Sequence, residues 1–183
     1  MVKIIPFNKK RLLLKTFIES QFSYCPLIWM FCSRKMNRKI NHIHERALRL
    51  VYEDYTTSFK DLLLRDRSVS IHHRNIQKIA IEMFKVKNNL CPTFIKSLFC
   101  LNNTRTRSNV TFHRQNVNTV YRGEQSLRCF GPIVWDNMVP QNFKTITDLK
   151  HFKHEIKAWI PDNCVCRLCR DYVSNLGFVT LYE

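Results

Sequence analysis

Residues 33–55 read SRKMNRKINHIHERALRLVYEDY, and this stretch decides how the chain is organised. Met36, Ile40, Ile43, Ala47 and Leu50 recur at spacings of 4, 3, 4 and 3. That spacing predicts an α-helix with one apolar stripe. Arg34, Lys35, Arg38, Lys39, Arg46 and Arg49, with His42 and His44, fill the rest of its surface. Glu45 is the only acid between Arg34 and Leu50. One face of the helix calls for a protein core, and the others for something negative.

Working outward, the flanking chain reads as the scaffold of that helix. Asn8 is placed to cap a helix over residues 9–22, with Leu13, Leu14, Phe17, Ile18 and Gln21 on one side. Pro26 ends or bends it, and the apolar run 27–31 plugs into the core. After Tyr55, Thr57 or Ser58 caps a brief helix to Leu64. A third long helix covers residues 69–90, its apolar side made by Ile76, Ile79, Ala80, Met83, Phe84 and Val86. Pro92 follows its end. Residues 101–122 are rich in Asn, Thr, Arg and Ser, with weak alternation that allows one or two short strands or a hairpin. Residues 124–139 read as two short helical turns kinked at Gly131-Pro132. Thr147 caps a last helix at about 148–160, striped by Leu149, Phe152, Ile156 and Trp159. The expected fold is mainly α: a small thumb-like helical bundle over residues 1–100, then an irregular α-rich C-terminal region, 101–183, with at most one short hairpin.

Composition narrows the partners. The 183 residues carry 30 Lys+Arg against 14 Asp+Glu, a formal net charge of +16. An excess that large, clustered on helices, points to a polyanion, nucleic acid first and an anionic membrane surface second. The longest apolar run, residues 24–32, is too short to span a bilayer, which takes about 20 residues. The N-terminus has no apolar signal-peptide core ahead of Lys9, Lys10 and Arg11. These features lead us to expect an intracellular location, in cytoplasm or nucleus, and no membrane association. In a reducing compartment the 8 Cys are thiols or metal ligands rather than disulfides.

Catalytic machinery is hard to find. The acids are scattered, where a polymerase or nuclease clusters carboxylates around two divalent metals. Tyr52-Glu53-Asp54-Tyr55 superficially matches a polymerase Tyr-x-Asp-Asp turn but lacks the second Asp. No P-loop and no Gly-x-Ser-x-Gly is present. His72 and His73, being adjacent, do not share a helix face, and a solvated or phosphate-facing role is expected for them. Cys164-x-Cys166-x-x-Cys169 is the sharpest local feature. Thiolates at that spacing can wrap a structural Zn²⁺, with His154, His151 or Cys129 as fourth ligand and His154 the first choice; free buried thiols are the alternative. Cys25, Cys32, Cys91 and Cys100 read as small core residues, and Trp29, Trp135 and Trp159 as core anchors.

Residues 17–55, FIESQFSYCPLIWMFCSRKMNRKINHIHERALRLVYEDY, resemble the region just after the catalytic domain of non-LTR retrotransposon reverse transcriptases of the jockey and CR1-like type. Later landmarks are similar to that family in the same order: SIHHRNIQKIAIEMFKVKNNL at 70–90, Arg107-Ser-Asn, SLRCFGPIVWDNMVP at 126–140 and CVCRLC at 164–169. The resemblance implies that residues 9–90 correspond to the thumb, which grips the template–primer duplex, and that the rest is a C-terminal extension. The family's fingers, palm and metal-binding Asp residues match nothing here. It therefore implies a remnant of an RNA-directed DNA polymerase without polymerase activity, either a truncated element copy or a gene model covering only the element's 3′ end, with the parent polymerase's palm and fingers as the missing partners. Non-specific RNA or RNA–DNA duplex contact is expected through Arg34, Lys35, Arg38, Lys39, Arg46 and Arg49, plus Arg74 and Lys78. Self-association through exposed apolar surface is also expected. The other functional expectation is a small zinc-stabilised nucleic-acid or protein interaction module built on Cys164, Cys166, Cys169 and His154.

Overall fold

The computed structural model describes residues 5–102, 111–114, 117–119, 123, 126–161 and 164, apart from the side chains of Leu27, Ile28 and Arg34. Among these residues the chain is mainly α-helical, as the periodicities require, and forms no strand. A single antiparallel bridge joins Leu101 to Phe112 where short strands or a hairpin are expected. It is closed by Asn102 N–H donating to Thr111 O (3.0 Å) and His113 N–H to Cys100 O (2.8 Å). The chain forms two compact units, the first including the chain up to Asn75 and the second running from Ile76 to Cys166.

The first unit opens with α1 (Phe7–Leu13), which passes without interruption into a π-helical stretch, π1 (Leu14–Glu19), and then α2 (Ser20–Ser23). Pro6 rather than Asn8 precedes the first turn, and no side chain caps it. The π turn coincides with hydroxyls bonding back to the helix: Thr16 Oγ1 donates to Leu12 O (2.9 Å), and Ser20 Oγ to Thr16 O. Cys25, at φ 46°, turns the chain, and Pro26 opens α3 (Pro26–Met30), whose Met30 is buried. The long helix α4 (Arg34–Tyr52) follows, capped by Ser33 Oγ, which accepts from Met36 N–H. The α1–π1–α2 run lies antiparallel to α4. Lys10 pairs with Glu53, Leu14 packs on Ala47, Leu48 and Val51, and Phe22 packs on Ile40.

α5 (Phe59–Asp66) closes that core with Phe59, Leu62 and Leu63. Its cap is Ser58, whose Oγ accepts from Asp61 N–H. The buried carboxylate of Asp66 is held by Arg11 (Nε–Oδ1 3.0 Å) and by the Tyr52 hydroxyl, which donates to Oδ1 at 2.8 Å. Burial and then the Asp66 carboxylate push the Tyr52 phenol up to about 12. α4, α5 and α6 end without glycine: Glu53 (φ 54°), Arg67 (φ 52°) and Asn89 (φ 57°) take the left-handed position instead.

α6 (Ile71–Lys87) crosses the division. From Ile76 onward it carries the second unit's core through Ile76, Ile79, Ala80, Met83, Phe84 and Val86, all buried as the sequence predicts. α7 (Thr93–Lys96) follows. α8 (Leu127–Ile133) and π2 (Val134–Met138) form one continuous run rather than two turns broken by a kink. Pro132 lies inside α8, where it can donate no backbone hydrogen bond, and the π turn follows directly after it. α9 (Gln141–Lys144) leads to α10 (Leu149–Ala158). α10 is capped by Asp148, which accepts from His151 N–H, and not by Thr147. Trp135, wholly buried, sits among Phe84, Phe112 and Phe152, with ring centroids 5.9–6.4 Å away. Its indole N–H donates to Thr111 Oγ1 at 3.2 Å. Phe84 stacks on Phe152 at 4.3 Å. Gln77 Nε2 donates to Trp159 O (2.6 Å) at the end of α10. Gly131 gives Met83 room: a Cβ there would stand 2.6 Å from the Met83 Sδ.

Candidate nucleic-acid interface

α4 is rotated from the orientation its apolar residues imply. Its buried residues are Asn37, Ile40, Asn41, His44, Ala47, Leu48 and Val51. Met36, Ile43 and Leu50, three of the five predicted core positions, are exposed. The physical reason is the company on the buried side. That face holds three polar groups, Asn37, Asn41 and His44, which apolar periodicity does not count. His44, wholly buried, meets the edge of Phe59 at 5.6 Å and lies 3.8 Å from a Glu19 carboxylate oxygen.

The face opposite that core is cationic. Lys35, Arg38, Lys39 and Arg46 are exposed, together with His42. Their spacings of 3, 1, 3 and 4 keep them on one side of the helix over about 16 Å. Glu45, the only acid in this span, is taken up by Arg49 (Nη2–Oε1 2.7 Å) and approached by His42 (3.6 Å). Among the described residues no acid is paired to these four outward-facing cations, and Arg34 precedes them in the first turn. Extended Lys and Arg side chains on a rigid helix suit a row of phosphate oxygens, to which they add charge without reading sequence.

The remaining predicted contacts are placed differently. Arg49 is mostly buried, donating to Glu45 and, at 3.3 Å, to the Asp54 carbonyl. Arg74 forms a two-pronged ion pair with Glu19 (Nη1–Oε2 3.1 Å, Nη2–Oε1 3.2 Å). Burial pushes the Glu19 carboxyl up, but His44 and Arg74 outweigh it and hold it down at about 2. Both arginines thus serve the interior of the first unit, because a fork of guanidinium donors beside a carboxylate is already satisfied. Lys78 lies in the second unit and is half-buried. Of the seven predicted contacts whose side chains are described, the structure thus brings together four, Lys35, Arg38, Lys39 and Arg46. Sequence reasoning missed the Glu19–His44–Arg74 cluster, whose members lie far apart in the chain and share no motif.

The Tyr52–Tyr55 segment is a helix end and a loop staple. Asp54 accepts from the backbone N–H groups of Thr56 (3.1 Å) and Thr57 (3.0 Å) and from the Thr57 hydroxyl (2.6 Å). The Thr57 and Thr56 bonds keep its carboxyl well below the usual carboxylate range. That arrangement is an Asx turn, which spends the carboxylate on the backbone. His72 and His73 are buried rather than solvated, in the first turn of α6 beside the buried Ser70, Ile71 and Asn75. Cys32 is half-buried and packs against the Phe22, Ile40 and Ile71 core as expected, whereas Cys91 is only half-buried and Cys25 and Cys100 are exposed rather than core residues. Cys164 is half-buried, while Cys166 and Cys169 lie outside the described residues. His154 is 85% exposed at its side chain, with Nδ1 3.3 Å from Glu155 Oε1. The described residues contain no cluster of three metal-ligating side chains.

Helix α4 therefore defines a cationic helical surface seated on a small helical core. Comparison with known proteins adds no relative: no family model, no curated protein and no solved structure matches this chain. Among the described residues, no helix is long and apolar enough to cross a membrane.

Proposed function

We propose that the chain is a nucleic-acid-binding module whose α4 lies along the phosphate backbone of a template–primer duplex, in the manner of the thumb of a non-LTR retrotransposon reverse transcriptase. The observation that carries this reading is the acid-free exposed row Lys35, Arg38, Lys39 and Arg46 on a helix anchored by its opposite face. The net charge of +16 supports it, and the sequence resemblance supplies the kind of duplex. On this reading the module grips RNA–DNA or RNA duplex without sequence preference and transfers no nucleotide itself. Two unrelated RNA–DNA hybrids should bind equally in fluorescence anisotropy. Arg38→Glu/Lys39→Glu/Arg46→Glu should abolish most of that binding while leaving the helical circular dichroism unchanged. Strong preference for one hybrid sequence, or undiminished binding by the triple variant, would overturn the reading.

A further inference from the structure

We propose that the first unit carries a second docking surface, beside the cationic face of α4, for an amphipathic helix with acidic flanks supplied by another protein. A groove of about 520 Å³ lies between the α1–π1 run and α4. Its walls include Leu13 and Phe17 on one side and Ala47 and Leu50 on the other, with Ile5 and Tyr55 towards one end. Phe17 is 67% exposed and Leu50 62% exposed, far more than core side chains of that size.

The apolar character does not stop at the groove. Ile43 and Met36, also exposed, continue the Leu50 row along α4 at intervals of seven residues. The row extends about 21 Å. Interval seven is the repeat by which one helix receives another along a seam, and two antiparallel helices with an apolar furrow between them offer the seat of a third. A contiguous exposed apolar strip of this kind marks an interaction site rather than ordinary surface.

Charge selects the occupant. The furrow is bordered on α4 by Lys39 and Arg46, and α1 and π1 expose Lys9 and Lys15. The one acid lining it, Glu53, is paired to Lys10. A second copy of the chain would bring the same cations against these and be repelled. A helix with Leu-like residues on one face and Glu or Asp beside them satisfies both the furrow and its border.

The test is fluorescence anisotropy of the full chain with a labelled helical peptide of about 18 residues, about 27 Å long. The probe carries Leu at heptad spacing and Glu on the flanks. One comparator replaces every Glu with Lys, and another replaces every Leu with Ser while keeping the Glu. The Leu/Glu peptide should bind at least about tenfold tighter than either comparator. Phe17→Glu/Leu50→Glu, both at exposed positions, should weaken it by at least about tenfold with unchanged circular dichroism. Lys39→Gln/Arg46→Gln, which leaves the furrow intact, should narrow the preference for Glu over Lys flanks. Equal binding of the Ser/Glu peptide, equal binding of the Leu/Lys peptide, or indifference to Phe17→Glu/Leu50→Glu would each overturn the inference. So would a dimer in sedimentation that the same double variant dissolves, since the occupant would then be a second copy.

Discussion

Replacing Glu19 with Gln removes the acid that Arg74 and His44 share within the first unit. The carboxyl is held at about 2 against an ordinary value of 4.5. Such a depression corresponds to about 3 kcal/mol of stabilisation at most. Glu19 keeps a little solvent contact, with 13% of its side chain exposed, so screening reduces the expected loss to about 2 kcal/mol. The sign follows from the direction of the shift. A carboxylate with a lowered folded-state value stabilises the fold fully above 4.5, and loses that effect as the pH falls towards 2. Glu19→Gln should therefore cost about 2 kcal/mol at pH 7 and progressively less under acid conditions. Urea unfolding followed by far-UV circular dichroism at several pH values measures both quantities. Adding Arg74→Gln should cost less in the Glu19→Gln background than in the native chain, because the pair is then already broken. A penalty at pH 7 below about 0.5 kcal/mol, or one that does not shrink in acid, would refute the ion-pair argument.

Leu48, wholly buried between α1–π1 and α5, should cost about 2–5 kcal/mol when cut to Ala, read as a lower urea midpoint. Arg67→Gly should raise stability by about 0.5–1 kcal/mol, since glycine relieves the left-handed strain at φ 52°; a lower melting temperature would contradict it. Gly131→Ala should lose about 1–3 kcal/mol by driving a methyl into the Met83 sulfur, and should cost less in a Met83→Ala background than in the native chain, because the clash is then already removed.

Much of the architecture is legible in the sequence because it rests on local signals. Ser33 and Ser58 cap the helices they precede, and the Ile76–Val86 stripe is buried as spaced. Trp135 is the core anchor its surroundings suggest. The misreadings have a common physical source: tertiary packing that takes polar groups inside. Asn37, Asn41 and His44 lie inside, which turns Met36, Ile43 and Leu50 outward and creates the furrow. Glu19 reaches Arg74 across 55 residues, and no spacing rule registers that. The ends of α4, α5 and α6 carry Glu53, Arg67 and Asn89 where a stop signal would show glycine. Of the candidate site, the cations of α4 were legible as charge. Which of them stay free of acids depends on where Glu45 folds, and it takes up Arg49.

The central claim is that Lys35, Arg38, Lys39 and Arg46 act together as a phosphate-binding row. Its most direct measurement is the salt dependence of binding to an RNA–DNA hybrid, for the native chain and for the variant with all four changed to Glu. Each phosphate contact contributes about 0.7–0.9 to the slope of log affinity against log salt. The native slope should be steep, and the variant's should be shallower by about 3, with affinity falling most at low salt. Native binding that ignores salt, or a variant slope equal to the native one, would contradict the claim.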